Sequence, residues 1–199
     1  MSNGTQTYQF KPALLKSKQS YFVTNDHLEL ANKDGSDTCI HFKDITNLRY
    51  SDTNAREYKF RRLDITYGNG ALLHISLSLP IASTAQNDRN LSSFFQLIHD
   101  ITRRLEHARP DLPITIGETS RINWIYFTIG ALTMLGAIGI LLGAYLSGVS
   151  DQKLMKSLFP VLIMAAFGAY ICFMARPWVN RPAVDLNTFK RLIEKLQEG

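Results

Sequence analysis

Hydrophobic and polar positions along the chain change period three times, and each change marks a different kind of element. From residue 20 to residue 79, short β-type runs alternate with turn-forming residues. The runs cover residues 21–24, 28–31, 38–42, 45–50, 57–67 and 71–79, with turns at Asn25 and Asp26, at Asp34 and Gly35, and at Gly68, Asn69 and Gly70. The last run is the clearest: Leu73, Ile75, Leu77 and Leu79 fall on one side, and Leu72, His74, Ser76 and Ser78 on the other. In residues 57–67 the apolar positions change parity, from Tyr58 and Phe60 to Leu63, Ile65 and Tyr67, which predicts a bulge or break at Arg61 and Arg62. Dividing the run there gives seven short strands. Residues 90–109 then read as one helix, with Leu91, Phe94, Phe95, Ile98, Ile101 and Leu105 on a single stripe, a cap at Asn87, Asp88 or Asn90, and a stop at Pro110.

Beyond residue 123 the alternation disappears. Residues 124–150 and 157–175 contain no Asp, Glu, Lys, Arg or His. A helix needs about 20 apolar residues to cross a hydrocarbon core, so residues 124–149 and 157–175 predict two transmembrane helices. Trp124, Tyr126, Tyr145 and Trp178 sit at their edges, as rings that anchor at headgroup level do. Arg104, Arg109 and Arg121 precede the first span, and Arg176, Arg181, Lys190, Arg191 and Lys195 follow the second, whereas the connecting residues 150–156 hold only Lys153 and Lys156. This asymmetry predicts that both termini face the cytosol. The first 18 residues lack the apolar stretch of a signal peptide. Gly136, Gly139, Gly143 and Ser147 form a ridge of small residues on the first span, and Ala165 and Ala169 offer the same spacing on the second. Packing of the hairpin on itself is the expected use, with an oligomer interface as the alternative. Without a charge inside either span, proton relays and ion paths are disfavoured.

The expected organisation is therefore an N-terminal arm (1–19), a cytosolic domain (20–109), a linker (110–123), two spans (124–149 and 157–175) around a short extracytoplasmic loop (150–156), and a tail (176–199). In the tail, Leu186, Phe189, Ile193 and Leu196 repeat at helical spacing behind a cap at Asp185. This amphipathic helix has three candidate resting places: the cytosolic domain, the membrane interface or another subunit.

Composition and charge exclude more than they assign. The formal charge is +5, with 15 Lys and Arg against 13 Asp and Glu in residues 1–122, so no basic stripe for nucleic acid exists. Cys39 and Cys172 lie in segments of different character and rule out a disulfide scaffold; Cys39 reads as strand filler. His99 and His107 are two helical turns apart, too far for one metal, and His74 is on the solvent-leaning face of its strand. Neither a phosphate-binding loop nor a local triad signature is present, so no metal, no cofactor and no catalytic residue is expected. The basic cluster Arg56, Lys59, Arg61 and Arg62 has three readings: a solvated strand face near Glu57 and Asp64, a contact for anionic lipid headgroups, worth about 1 kcal/mol per cation near the surface, or a contact for a protein partner.

Strands followed by one long helix resemble the pleckstrin-homology superfamily, most of all its bacterial PH-like and GRAM-type branches. The resemblance rests on the segment Ser20-Tyr-Phe-Val-Thr-Asn-Asp-His-Leu-Glu-Leu30, the segment Ile40-His-Phe-Lys-Asp-Ile-Thr-Asn-Leu-Arg-Tyr50 and the helix from Leu91 to Leu105. It covers residues 18–108 and implies an α+β fold: a seven-stranded barrel or sandwich closed by its C-terminal helix, used for binding lipids or protein segments. Phosphoinositide readers of this superfamily carry Lys and Arg around the first hairpin, where this chain has Asn25, Asp26, His27 and Glu29. The expectation is a binding or scaffold module at the inner face of a bacterial cytoplasmic membrane, with the bilayer as partner and no nucleic acid. Its rivals are a small accessory subunit joined to a membrane protein or to its own copies through the Gly/Ser ridge, and a membrane enzyme or transporter with a site that leaves no motif.

Overall fold

The computed structural model describes residues 5–31, 37–117, 120–148, 150–179 and 183–198. The turn expected at Asp34 and Gly35, the end of the first span at Val149, and Arg181 in the tail lie outside the described residues. The chain forms two compact units, one made of Met1–Gly117 together with Arg181–Gly199 and the other of Glu118–Asn180.

The first unit is α+β. Strands β1 (Gln6–Phe10), β2 (Gln19–Val23), β3 (His27–Ala31) and β4 (Thr38–His41) form an antiparallel sheet in sequence order. A single 3-10 turn, Phe42–Asp44, leads into β5 (Ile45–Ala55), β6 (Tyr58–Tyr67) and β7 (Ala71–Pro80) of a second sheet. That sheet continues past β5 through β8 (Ile114–Ile116) and β9 (Ala183–Val184), giving the order β7-β6-β5-β8-β9. Helix α1 (Arg89–Ala108) follows β7, and helix α4 (Leu186–Glu198) follows β9.

Among the described residues, nine strands in two open sheets replace the expected seven-stranded barrel or sandwich. Three differences account for the count. The N-terminal arm contains β1, which pairs with β2 from Gln6 opposite Val23 to Phe10 opposite Gln19. The expected break at Arg61 and Arg62 is absent: β6 stays in register with both neighbours from Tyr58 to Thr66. Tyr58 and Phe60 lie exposed on the outer face, while Arg61, Leu63 and Ile65 point inward, so no parity changes. The irregularity of this sheet falls instead in β5, between Ile45 and Asn47. The linker and tail also contribute strands: β8 runs parallel to β5, and β9 pairs with β8 at Ile114 opposite Val184 and Thr115 opposite Ala183.

One hydrophobic core joins both sheets, α1 and α4. The predicted stripe of α1 is buried, and Asp88 supplies the cap, its Oδ1 accepting from the Asn90 N–H at 2.8 Å and the Leu91 N–H at 3.3 Å. Phe10 stacks on Tyr21 and meets Phe94 edge-on, which holds β1 under the helix. The tail helix takes the first of its three candidate places. Leu186, Phe189 and Ile193 are buried in the same core, Phe189 packs on the Tyr50 ring at 5.6 Å, and Lys190 Nζ lies 3.7 Å from Glu106 Oε1 on α1. Asp185 starts α4 as predicted. Hydrogen bonds from Thr188, first from its side chain and then from its backbone, hold the Asp185 carboxyl below its ordinary range.

The second unit is a hairpin of α2 (Ser120–Leu146) and α3 (Asp151–Ala175). Both are long and apolar enough to cross a membrane, over Ile122–Leu146 and Met155–Ala175. Helix α3 begins at Asp151, so the expected loop 150–156 is almost entirely helical. Contact between the helices runs through Gly130 and Ala137 on α2 and through Val161, Gly168 and Ala175 on α3, at the seven-residue spacing of helices that wind around each other. A Cβ on Gly130 would stand 2.8 Å from the Gly168 carbonyl oxygen, and one on Gly168 would stand 2.7 Å from the Gly130 carbonyl oxygen. The predicted ridge is not the contact: nothing lies within 4 Å of a Cβ built on Gly136, Gly139 or Gly143, and Ser147 is exposed. Ala165 is half-buried beside the seam and Ala169 is exposed.

Because α4 completes the core, Phe189→Ala is expected to destabilise the first unit by about 3–5 kcal/mol. Denaturant unfolding of the detergent-solubilised chain, followed by circular dichroism, checks this; a loss within the ordinary range of a surface substitution would show that α4 is not integral to the core.

Candidate functional site

The strand period of two decides the fate of the basic cluster. Lys59 and Arg61 belong to the inward row of β6, while Arg62 belongs to the outward row. Arg61 is 4% exposed, pairs through Nε with Asp52 Oδ2 at 3.1 Å and lies over the Phe95 ring at 4.7 Å. Arg62 Nε meets Asp64 Oδ1 at 2.9 Å on the outer face. Arg56 is exposed at the β5–β6 turn, where it adopts a left-handed φ of 55°. The four cations therefore do not form one patch, and among the described residues Arg56 and Lys59 are the two that make no ion pair.

The outer face of the second sheet brings a different group together. Asp64 is buried although it points outward, because Arg62 and His74 close over it; His74 Nδ1 is 2.6 Å from Asp64 Oδ1. His74 is thus solvent-leaning, as its parity predicts, but bound to a carboxylate across β6 and β7. This trio lies on an open sheet face and lines neither of the two cavities described next.

The larger cavity is a cleft of about 590 Å³ between β1, the polar face of α1 and α4. Tyr8, His99, Asp100, Arg103 and Glu194 supply most of its chemistry, with Gln6, Gln96 and Gln197 adding amides. Asp100 is 3% exposed; its Oδ1 accepts from Arg103 Nη2 at 2.6 Å and lies 3.6 Å from Arg104 Nε, while its Oδ2 accepts no hydrogen bond among the described residues. The Tyr8 hydroxyl donates to Gln6 Oε1. Its pKa is pushed up to about 12, first by burial and then by the negative charge of Asp100. Buried acceptors, amides and a phenol suit the cleft to hydrogen-bonding a polar ligand. The second cavity, lined by Lys59, Arg61, Leu77, Leu79, Ser83 and Leu91, is too small for a water molecule.

The expected site residues are therefore dispersed, and none of them lines the cleft. Tyr8 and Glu194 lie in segments that the sequence reading left without a binding role. Cys39 is exposed on β4 and not a filler of the core. No known protein family matches the chain, and no curated protein is significantly similar to it in sequence.

Tyr21 and Tyr50 are also raised, Tyr21 by burial and Tyr50 by burial ahead of the charge of Asp52. A phenol that resists ionisation in the fold ionises first in the unfolded chain, so the stability it contributes is complete below pH 10.0 and is lost as pH rises through the folded value. Thermal melts are expected to fall steadily above that pH, with a shallower fall in Tyr8→Phe. Identical slopes for the two proteins would remove Tyr8 from this account.

Proposed function

We propose that the chain is a membrane-tethered binding or scaffold module of PH-like type, without catalysis of its own, held at the cytoplasmic face of a bacterial inner membrane by the α2–α3 hairpin. The observation that carries this reading is an insertion. The chain leaves the α+β unit after β8, forms two apolar helices, and returns to the same unit through β9 and α4. Among the described residues, twenty large apolar side chains of those helices are exposed. At about 1.5–3 kcal/mol for each such side chain kept from water, contact with water would cost tens of kcal/mol, and lipid is the solvent that removes the cost. Both ends of the hairpin belong to one folded unit, which supports a head and tail in a single compartment; the Lys and Arg asymmetry supports the cytosol as that compartment. The Phe127 ring meets the Trp124 ring at 5.8 Å and the Trp178 ring at 5.2 Å, as an interfacial anchor would.

Seven strands in groups of four and three ahead of a closing helix support the superfamily resemblance, with β8, β9 and α4 as additions to it. The ligand-binding role rests on the cleft, and contact with anionic headgroups rests on Arg56 and Lys59 alone. A second reading, a small subunit of a larger membrane assembly, draws on the open space over Gly136, Gly139 and Gly143. Replacing Gly139 and Gly143 with Leu is expected to reduce particle size in detergent if that face packs against another helix; an unchanged size removes this reading.

The main test exploits the insertion. Since Thr115 pairs with Ala183, residues 118–182 can be replaced by a short Gly/Ser linker. The shortened protein is expected to be folded and aqueous, and to float with anionic but not neutral vesicles only while Arg56 and Lys59 are present. The full chain is expected to remain with membranes at high pH, and Cys39 to react with an impermeant maleimide in inverted vesicles but not in intact cells. Full-length protein in the aqueous fraction, or Cys39 labelling from outside, would overturn the proposal.

A further inference from the structure

The β3–β4 ribbon carries a constellation that the proposed function does not use. His27 pairs with His41 and Glu29 pairs with Cys39 across the two strands. Leu28, Leu30 and Ile40 point into the core, so the four intervening side chains share the outward face. Two imidazoles, a thiol and a carboxylate thus occupy the corners of one small square. Successive corners along a strand are about 6.8 Å apart, twice the rise per residue.

The imidazole pair is already close to chelating geometry. Zn–N bonds of about 2.0–2.1 Å at a tetrahedral angle put two ring centroids roughly 5 Å apart; the His27 and His41 centroids are 5.7 Å apart with planes at 68°. Thr24 fixes one of the rings. Its Oγ1 accepts from the His27 N–H at 3.1 Å and the Asp26 N–H at 3.3 Å and lies 3.0 Å from His27 Nδ1. With Nδ1 against Thr24, Nε2 is the ring nitrogen offered to a ligand, and the ring is held by a partner behind it, as metal-binding histidines are held. The turn is tight, its Thr24 N–H donating to the His27 carbonyl at 3.0 Å.

From this geometry we propose that the outer face of the β3–β4 ribbon binds a divalent transition metal with the preferences of zinc, His27 and His41 acting as anchoring ligands and Cys39 and Glu29 completing the set. Soft and borderline donors of this kind select zinc over magnesium or calcium. No three His, Cys, Asp or Glu groups among the described residues converge on one point. Binding therefore draws Cys39 and Glu29 toward the imidazoles by side-chain rotation on a solvent-facing surface. Among the described residues β4 pairs with β3 alone, so a metal there would clamp the edge strand of the first sheet to its neighbour.

The test uses the tag-free full chain in detergent under reducing conditions, titrated with Co²⁺ and then with Zn²⁺. Visible d–d absorption, a thiolate-to-cobalt charge-transfer band and displacement by Zn²⁺ are expected. Cys39→Ser should abolish the charge-transfer band, and Thr24→Ala should weaken binding about tenfold through the lost support of His27. His27→Gln with His41→Gln should remove binding while circular dichroism stays unchanged, both residues being on the surface. A parent chain that binds neither metal, or a double variant that binds as the parent does, would falsify the site. A parent spectrum without the thiolate band would reduce it to the two imidazoles and refute the ligand set.

Discussion

Two backbone rungs, Ile114 opposite Val184 and Thr115 opposite Ala183, join the segment that enters the hairpin to the segment that leaves it. Through β8 this pair is attached to β5, the strand at the centre of the second sheet, and through α4 it is attached to the core. The hairpin is consequently a detour from a domain whose two sequence-distant parts close on each other. Much else follows from the closure. Phe189 reaches Tyr50, Lys190 reaches Glu106, and the cleft beside Tyr8 and Asp100 acquires its Glu194 and Gln197 wall only because the tail comes back.

What the sequence disclosed was what one segment settles by its own period. The α1 stripe, the alternation in β7 and the two apolar spans each bury or expose a face without help from distant residues. Strand β1 was hidden because Gln6-Thr-Tyr-Gln-Phe10 has only two apolar positions, and its pairing with β2 and cover by α1 decide its conformation. Strands β8 and β9, of three and two residues, are too short for any period and exist through non-local pairing. Tyr58 and Phe60 misled because an exposed aromatic and a buried one read alike in a sequence.

The candidate sites followed the same division. Neighbouring Arg61 and Arg62 looked like one cluster, yet a strand sends them to opposite faces, where Asp52 and Asp64 engage them. Small residues on α2 signalled close packing, but two faces of that helix carry them, and the seven-residue phase of Gly130 and Ala137 selects the seam. The cleft needs three segments spread over nearly the whole chain, so no local pattern announces it. His27, Glu29, Cys39 and His41 were each visible as types, while the cross-strand register that squares them was not.

A domain completed from both sides of an insertion has a temporal consequence. On the ribosome β1 to β8 and α1 emerge first, then the two apolar helices, and only after them the segment bearing Phe189 and Ile193. Until that segment is made, the nascent head lacks a wall of its interior and one side of its cleft. Synthesis of the hairpin thereby precedes maturation of the head, and products truncated before α4 keep apolar surface uncovered, marked for proteases by their own unfinished interior.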